Sequence, residues 1–246
     1  MSFSAMIFSA GLGTRLMPLT ADIPKALVEF CDKPLLYHAL CKLRHVPVKS
    51  VYVNVHHFAD KIRVYVDSVR DEFPFEIVIS DESELLLDTG GGIKKIVPLL
   101  QDGLLAFNVD VLFDLDLNAM LDVFLLSGVD AFLAVKDRST SRYLAFDGHS
   151  LAGWTNVNTG AVKGRVNADS SLLAFSGIQV LGKRTLHEIG LFPSEVFSII
   201  DFYIASCNTL AIHQYSPDYA WLDVGKYDEI DVAKKFFTLL NKKGAY

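Results

Sequence analysis

The chain has 246 residues, and 23 lysines and arginines against 29 aspartates and glutamates give it a net charge of −6. A hydrophobic fraction of 51% with 21% charged residues excludes a disordered chain and predicts a large buried core. The negative balance argues against a broad nucleic-acid-binding surface, which needs clustered excess Lys and Arg. The net charge does not exclude a local basic pocket that binds a small anion.

Strands and helices alternate through the first half of the chain. Its strand-length runs are apolar throughout, which is typical of a parallel sheet covered on both faces. The alternation indicates the α/β class. The predicted strands are Ala5–Ala10, Val51–Val55, Phe75–Ser80, Leu104–Asn108 and Ala131–Val135, and the predicted helices are Pro34–His45, Ala59–Val69, Gly92–Leu100 and Leu117–Leu126.

The second half begins with short strand-like pieces that Asp-Gly, Asn and Gly turns separate, which predicts antiparallel hairpins appended to the sheet. These pieces are Tyr143–Phe146, Leu151–Thr155, Ala161–Val166 and Leu172–Val180. Helices are predicted at Ser194–Ala205 and Lys226–Leu240, with strands at Thr209–His213 and Trp221–Val224. Without a repeat or an evident linker, we expect a single domain over residues 1–246.

Signals for a membrane or an oxidising compartment are weak. No apolar run approaches the roughly 18–20 residues of a membrane span. The first six residues lack the basic start of a signal peptide. Three widely spaced cysteines, Cys31, Cys41 and Cys207, fit neither a disulfide framework nor a zinc site and read as buried free thiols. We expect a cytoplasmic protein, a monomer or small homo-oligomer, with no nucleic-acid or membrane partner.

A glycine-rich turn follows the first predicted strand directly, where ligands bind in an α/β sheet. Gly11 and Gly13 permit a close approach of the backbone to a phosphate, although a tight turn alone would explain them. The turn matches neither the dinucleotide fingerprint, since Leu16 replaces the third glycine, nor the Walker A loop. Arg15 and Lys25 are cations suited to clamp a polyphosphate from two sides.

Four motifs of this region are Gly11-x-Gly13-Thr14-Arg15-Leu16-x-Pro18-Leu19-Thr20, Pro24-Lys25-x-Leu27-Val28, Lys33-Pro34-Leu35-Leu36-Tyr37 and Val53-Asn54-Val55-His56-His57. Together they resemble the signature of the sugar-1-phosphate nucleotidyltransferases, a resemblance that extends from Met6 to about Phe237. It implies a Rossmann-like three-layer α/β/α fold with a mostly parallel central sheet and appended hairpins. Within the family, Thr89-Gly90-Gly91-Gly92-Ile93 most resembles the branch that acts on N-acetylmuramate α-1-phosphate.

Two aspartates are candidates for a magnesium site. Asp110 follows a buried strand, and Asp223 ends a late one. Carboxylates beside a polyphosphate are what Mg²⁺ uses, although an aspartate after a strand is more often a turn former or a helix cap. The resemblance implies metal binding at both positions. It also exposes a departure, because Val109 stands where the family usually has Gly.

The resemblance assigns further roles residue by residue. Arg15, Lys25 and Asp110 would be catalytic, with NTP and a sugar-1-phosphate as substrates and Mg²⁺ as cofactor. The nucleotide-binding residues it implies are Ala10, Gly11, Gly13, Thr14, Asn54, Thr89, Gly90 and Gly91. The substrate-binding residues are Asn108, Ser176, Gly177 and Asp223.

The activity that these roles imply is transfer of a nucleoside monophosphate, from UTP to N-acetylmuramate-1-phosphate as first choice. A mannose- or heptose-1-phosphate guanylyltransferase is the close alternative, because Leu87-Asp88-Thr89-Gly90-Gly91 suits both branches. A nucleotide-sugar sensor without turnover is the alternative from another class. Val109 favours the sensor. The intact residues Arg15, Lys25, Asp110 and Asp223 argue against it.

Overall fold

Strands and helices build the computed structural model, which describes residues 3–245. The strands are β1 (Phe3–Phe8), β2 (Glu29–Phe30), β3 (Lys33–Pro34), β4 (Val48–Val55), β5 (Glu76–Asp81), β6 (Gly103–Asn108), β7 (Val111–Phe113), β8 (Ala131–Lys136), β9 (Arg142–Asp147), β10 (Ser150–Asn156), β11 (Ala161–Gly164), β12 (Ser171–Gly182), β13 (Ile212–Tyr215) and β14 (Trp221–Asp223). The helices are α1 (Leu35–Leu43), α2 (Ala59–Val69), α3 (Asp88–Ile96), α4 (Leu117–Ser127), α5 (Lys183–Leu191), α6 (Ile199–Ser206) and α7 (Ile230–Lys242). The α/β class is confirmed.

The described chain divides into two compact units. The terminal unit comprises residues 3–86, 106–117 and 218–245, and the middle unit comprises residues 87–105 and 118–217. Strand β6 contributes residues to both. The single domain expected over residues 1–246 stays a prediction.

Parallel strands form the sheet of the terminal unit. β1 pairs with β4 from Phe3↔Val48 to Phe8↔Asn54, and β4 pairs with β5 from Ser50↔Glu76 to Val55↔Asp81. Because the strands are parallel, their carboxyl ends lie at one edge of the sheet. The residues that follow β1, β4 and β5 are therefore neighbours.

Helix α2 shows why the pattern of apolar residues located the helices of this unit. Ile62, Val66 and Val69 recur at helical spacing, and all three are buried. The predicted helix at Ala59–Val69 has the bounds that the structure gives it. α1 ends at Leu43, two residues before the predicted end.

The middle unit combines antiparallel and parallel pairs. β9 and β10 form a hairpin that turns at Gly148, whose φ is +62°, and β10 continues into an antiparallel pair with β11. β12 runs antiparallel to β8, whereas β13 runs parallel to β8. The predicted antiparallel hairpins are confirmed, and they belong to a mixed sheet.

Three helices of the middle unit depart from their predictions. α3 begins at Asp88 rather than Gly92, so the glycines lie inside the helix. α5 was not predicted, although Thr185, Leu186 and Ile189 form its buried face. α6 begins at Ile199 because the Ser198 hydroxyl caps it by accepting a hydrogen bond from the backbone N–H of Ile200 at 3.3 Å.

No helix within residues 3–245 has the length and apolar character needed to cross a bilayer. The three cysteines carry free thiols, as expected, but each is partly exposed rather than buried. Desolvation still raises the pKa of the Cys41 thiol.

Candidate active site beside the glycine turn

The glycine turn follows β1 in the terminal unit, and its two glycines differ in surroundings. An added Cβ at Gly11 would meet no atom within 4 Å, so the backbone there is open. Gly13 has a φ of +65°, and an added Cβ would lie 3.0 Å from the Cβ of Lys25 and 3.0 Å from Cγ2 of Thr20. The Thr20 hydroxyl donates to the carbonyl of Gly13 at 2.9 Å. Gly13 thus allows the turn to fold back onto the segment that carries Lys25.

Two short 3₁₀ turns present the predicted cations. In the first, Thr14–Leu16, Leu16 is fully buried while Arg15 is exposed. In the second, Lys25–Leu27, the side chain of Lys25 is only 10% exposed. The buried Leu16 anchors the first turn, so that Arg15 projects from a fixed backbone.

Lys25 and Asp110 form an ion pair between the Nζ and Oδ2 atoms, and the Asp110 side chain is 16% exposed. The sequence assigned one residue to a phosphate and the other to a metal, and it did not predict their contact. Each charge offsets the other in a poorly solvated place, where an unpaired charge would be costly.

Backbone hydrogen bonds fix Asp110 from two sides. The N–H of Val109 donates to the carbonyl of Phe8 at 3.1 Å, which ties the end of β6 to the end of β1. The N–H of Val224 donates to the carbonyl of Asp110 at 2.8 Å, next to the register pair Asp223↔Val111. The two candidate metal-binding aspartates therefore lie on directly bonded segments.

Arg15 lies close to Asp223 beside Gly225, a residue that was not among the predicted site residues. An added Cβ at Gly225 would lie 2.8 Å from Oδ2 of Asp223 and 3.6 Å from Nη1 of Arg15. The carboxylate and the guanidinium thus border the space that glycine leaves open. The sequence signal for Gly225 was its place directly after the predicted strand Trp221–Val224, where a glycine could equally have ended the strand.

The donor set fits a hard cation. Among residues 3–245, no cluster of three or more His, Cys, Asp or Glu side chains forms a metal site. Asp110 and Asp223 supply carboxylate oxygens, which Mg²⁺ accepts in ones and twos when phosphate oxygens and water complete its shell. Two carboxylates therefore suit a magnesium ion that arrives with a polyphosphate.

Asp114 illustrates a carboxylate with a structural role. Its Oδ1 accepts from the backbone N–H of Ala220 at 2.5 Å, and its Oδ2 accepts from Lys243 at 3.1 Å. Burial lowers the pKa of nearby Lys42 to about 8, and the negative charges of Asp114 and Asp116 oppose that shift.

Asn54 is placed beneath the glycine turn rather than on an open surface. It is 3% exposed, its Oδ1 accepts from the backbone N–H of Ser9 at 2.7 Å, and its Nδ2 donates to Glu82 at 2.9 Å. Both ends of the side-chain amide are thus bonded within the protein.

The glycine run lies at the start of α3 in the middle unit. An added Cβ at Gly90 would lie 2.3 Å from the ring of Phe197, and one at Gly91 would lie 2.1 Å from the carbonyl of Glu195. The N–H of Gly90 donates to the carbonyl of Phe197 at 2.9 Å. The Thr89 hydroxyl accepts from the N–H of Ile199 at 3.0 Å. Close packing of α3 against this segment accounts for both glycines.

Ser176 and Gly177 lie in β12, also in the middle unit. Ser176 is 1% exposed, and Gly177 has a φ of +72°. The pairing of β12 with β8 shifts register between Phe175 and Gln179. Gly177 thus occupies an irregularity of the strand, where a positive φ favours glycine.

The family follows from a match over residues 4–144, which fit the model described as nucleotidyl transferase. The matched range contains the glycine turn, Lys25 and Asp110. The chain belongs to the nucleotidyl transferase family.

Several relatives of this nucleotidyl transferase bear specific names. It is 42% identical over 120 residues to N-acetylmuramate alpha-1-phosphate uridylyltransferase of Caulobacter vibrioides, covering 48% of this chain and 50% of that one. It is 28% identical to UTP–glucose-1-phosphate uridylyltransferase of Synechocystis, covering 90% and 60%. It is 26% identical to mannose-1-phosphate guanyltransferase of Hypocrea jecorina, covering 98% and 66%. The chain thus spans half to two thirds of these relatives.

Solved structures establish the fold of this nucleotidyl transferase. HddC from Yersinia pseudotuberculosis complexed with GMP-PN superposes with a TM-score of 0.73 at 23% identity, covering 96% of this chain and 100% of that one. A UDP-glucose pyrophosphorylase complexed with UDP-glucose gives 0.75 at 16% identity, covering 97% and 99%. Identities this low support the fold alone.

Proposed function

We propose that the protein transfers a nucleoside monophosphate from an NTP to a sugar-1-phosphate, which yields an NDP-sugar and pyrophosphate. The observation that carries the proposal is the ion pair of Lys25 with Asp110 beside the glycine turn, where Lys25 packs against Gly13 and the backbone is open at Gly11. Arg15 and Asp223 border the adjacent Gly225. Fixed cations, acidic residues and free backbone next to one another suit a polyphosphate better than a neutral ligand.

The reaction needs positioning more than covalent chemistry. An oxygen of the sugar-1-phosphate attacks the α-phosphorus of the NTP, and the bond from that phosphorus to the bridging oxygen of the β-phosphate breaks. The attacking phosphate is already an anion at neutral pH, so no general base is required. Arg15 would hold the β- and γ-phosphates, and Lys25 would offset the charge that builds on the transferred group.

Asp110 and Asp223 would hold Mg²⁺, whose chemistry is to neutralise phosphate charge. Val109, where the family usually has Gly, is 5% exposed. Its side chain is thus part of the core of the terminal unit and is not exposed where it would crowd a nucleotide. This favours the enzyme over the sensor.

The remaining roles in the proposal come from the resemblance. Ala10, Gly11, Gly13 and Thr14 would bind the nucleotide, and the open surroundings of Gly11 support this. The other nucleotide-binding residues would be Thr89, Gly90 and Gly91. The resemblance also assigns Asn54 to the nucleotide, but both ends of its side-chain amide are bonded within the protein. The sugar-1-phosphate would be bound by Asn108, Ser176, Gly177 and Asp223.

UTP and N-acetylmuramate-1-phosphate are the proposed substrates, and the 42% identity to the Caulobacter enzyme over 120 residues supports them. GTP with mannose-1-phosphate is the second candidate, supported by the match to a guanyltransferase over 98% of this chain. Comparing turnover with UTP and with GTP distinguishes the two candidate substrate pairs.

The proposal extends to the finer fold and setting. We place residues 1–246 in one three-layer α/β/α domain with a mostly parallel central sheet, supported by the parallel pairs of β1, β4 and β5. We also propose that the protein is cytoplasmic and a monomer or small homo-oligomer, without a nucleic-acid or membrane partner. Its free thiols suit a reducing compartment. One cooperative unfolding transition is the result expected of a single domain.

The test is pyrophosphate release with Mg²⁺, crossing UTP, GTP, CTP, dTTP and ATP with N-acetylmuramate-, N-acetylglucosamine-, glucose-, mannose- and heptose-1-phosphate. Release that requires one NTP and one sugar phosphate together supports the proposal and names both substrates. Silence across the panel, with an NTP still bound by calorimetry, would support the sensor instead.

A further inference from the structure

Ser9 joins β1 to the glycine turn and is 3% exposed. Its backbone N–H donates to Oδ1 of Asn54 at 2.7 Å, and its hydroxyl donates to the carbonyl of Asn54 at 2.5 Å. Two hydrogen bonds to one residue thus hold the chain immediately before Ala10 and Gly11.

Asn54 is itself held from the other side. Its Nδ2 donates to Oε1 of Glu82, which is 2% exposed and follows β5. The backbone of Glu82 is tied to the chain after β4, because its N–H donates to the carbonyl of Val55 at 2.7 Å and its carbonyl bonds Nδ1 of His56 at 2.6 Å. Ser9, Asn54 and Glu82 form what we call the strand-end bridge, which links β1, β4 and β5.

The bridge matters because residues 11 and 12, at the start of the glycine turn, have little packing of their own. No atom lies within 4 Å of an added Cβ at Gly11, and Leu12 is 51% exposed. Side-chain packing therefore fixes the first residues of the turn only weakly. Buried hydrogen bonds have a defined geometry and are costly to leave unmade, so they can fix the backbone there instead.

We propose that Asn54 is a positioning residue: its side-chain amide sets the place of the glycine turn through Ser9 rather than by direct contact with the nucleotide. The catalytic part of this inference rests on the proposed nucleotidyl transfer. The structural part, that Asn54 immobilises residues 9–16, stands on the hydrogen bonds alone. The two parts have separate readouts.

The first experiment compares Asn54→Ala with Tyr203→Phe. The control also removes one partner of a buried side-chain hydrogen bond, since Tyr203 donates to Gln179 at 2.6 Å in the middle unit. Hydrogen–deuterium exchange without substrates should accelerate at residues 9–16 by about tenfold in Asn54→Ala and stay unchanged there in the control. Equal acceleration in both variants, or none in Asn54→Ala, would overturn the inference.

The second experiment exchanges donor and acceptor within the bridge. Asn54→Asp keeps the acceptor for Ser9 but sets a carboxylate against Glu82, so we expect a higher KM for the NTP and faster exchange at residues 9–16. Adding Glu82→Gln returns a donor to face the new carboxylate, and both quantities should move back toward wild type. A double variant no better than Asn54→Asp contradicts the inference.

The two proposals can fail separately. If the wild-type protein releases no pyrophosphate with any substrate pair, the proposed function fails, while exchange at residues 9–16 still decides the role of Asn54. If turnover is present and Asn54→Ala raises the KM without changing exchange at residues 9–16, Asn54 touches the nucleotide directly and the positioning role is wrong.

Discussion

The two glycine-rich segments, residues 11–13 and 90–92, look alike in the sequence and differ in the structure. At Gly11 an added Cβ would meet no atom within 4 Å, whereas at Gly91 it would lie 2.1 Å from a backbone carbonyl. The first segment belongs to an open turn with charged side chains nearby. The second begins a helix packed tightly against residues 195–197.

A glycine run therefore has two possible physical causes, and the sequence alone does not distinguish them. An open turn leaves N–H groups for a ligand, as phosphate-binding loops do. A packed helix start needs glycine because another segment of the protein occupies the place of the Cβ. In the second segment, the N–H of Gly90 already donates to Phe197.

The largest contrast is expected between Lys25→Ala and Lys94→Ala. Lys25 pairs with Asp110 beside the open turn, while Lys94 donates to the carbonyls of Phe192 and Ser194 beside the packed run. Lys25→Ala should lower kcat by about 10²–10³-fold, as loss of a charge-stabilising donor does elsewhere. Lys94→Ala should lower Tm by about 2–4 °C and leave turnover unchanged. Steady-state kinetics and thermal unfolding measure both, and near-normal kcat in Lys25→Ala would remove its catalytic role.

Alanine at the glycines themselves tests the packing. Gly91→Ala should lower the free energy of unfolding by about 1–3 kcal/mol, because backbone occupies the place of the new methyl group. Gly11→Ala should stay within about 0.5 kcal/mol of wild type. Denaturant titration gives both values, and equal losses would show that the two segments do not differ as described.

The smallest effects are expected from two hydroxyls. Thr20→Val removes the hydrogen bond to the carbonyl of Gly13, and Ser198→Ala removes the cap of α6 beside the packed run. Each should cost about 1 kcal/mol of stability. Only Thr20→Val should also raise the KM for the NTP, because it alone loosens the open turn. An equal rise of the KM in Ser198→Ala would contradict the distinction between the open turn and the packed run.

Local patterns predicted much of the fold. Apolar spacing alone predicted the bounds of helix α2, and the Asp-Gly turn predicted the hairpin of β9 and β10. α5 was missed because Gly182 precedes it, Gly190 lies in its last turn, and its first residues, Lys183 and Arg184, are charged. The start of α6 was placed too early because nothing before Ser198 marks the irregular segment that precedes the cap.

The candidate site was predicted in its residue types but not in its contacts. Motif resemblance named Lys25 and Asp110, yet their ion pair joins positions 85 residues apart, which no local pattern encodes. The neighbours of Gly225 and of Gly91 come from equally distant segments. Asn54 shows the same limit: its two hydrogen-bond partners follow different strands, and only the parallel register brings them together.

The most direct test of the central claim follows the α-phosphate itself. The protein is given UTP labelled at the α-phosphorus, N-acetylmuramate-1-phosphate and Mg²⁺, and the products are separated; GTP and mannose-1-phosphate form the parallel arm. We predict that the label enters a nucleotide-sugar only when both substrates are present, with one unlabelled pyrophosphate for each labelled product. Label that remains in the triphosphate in every arm, while the nucleotide binds, would contradict nucleotidyl transfer by this protein.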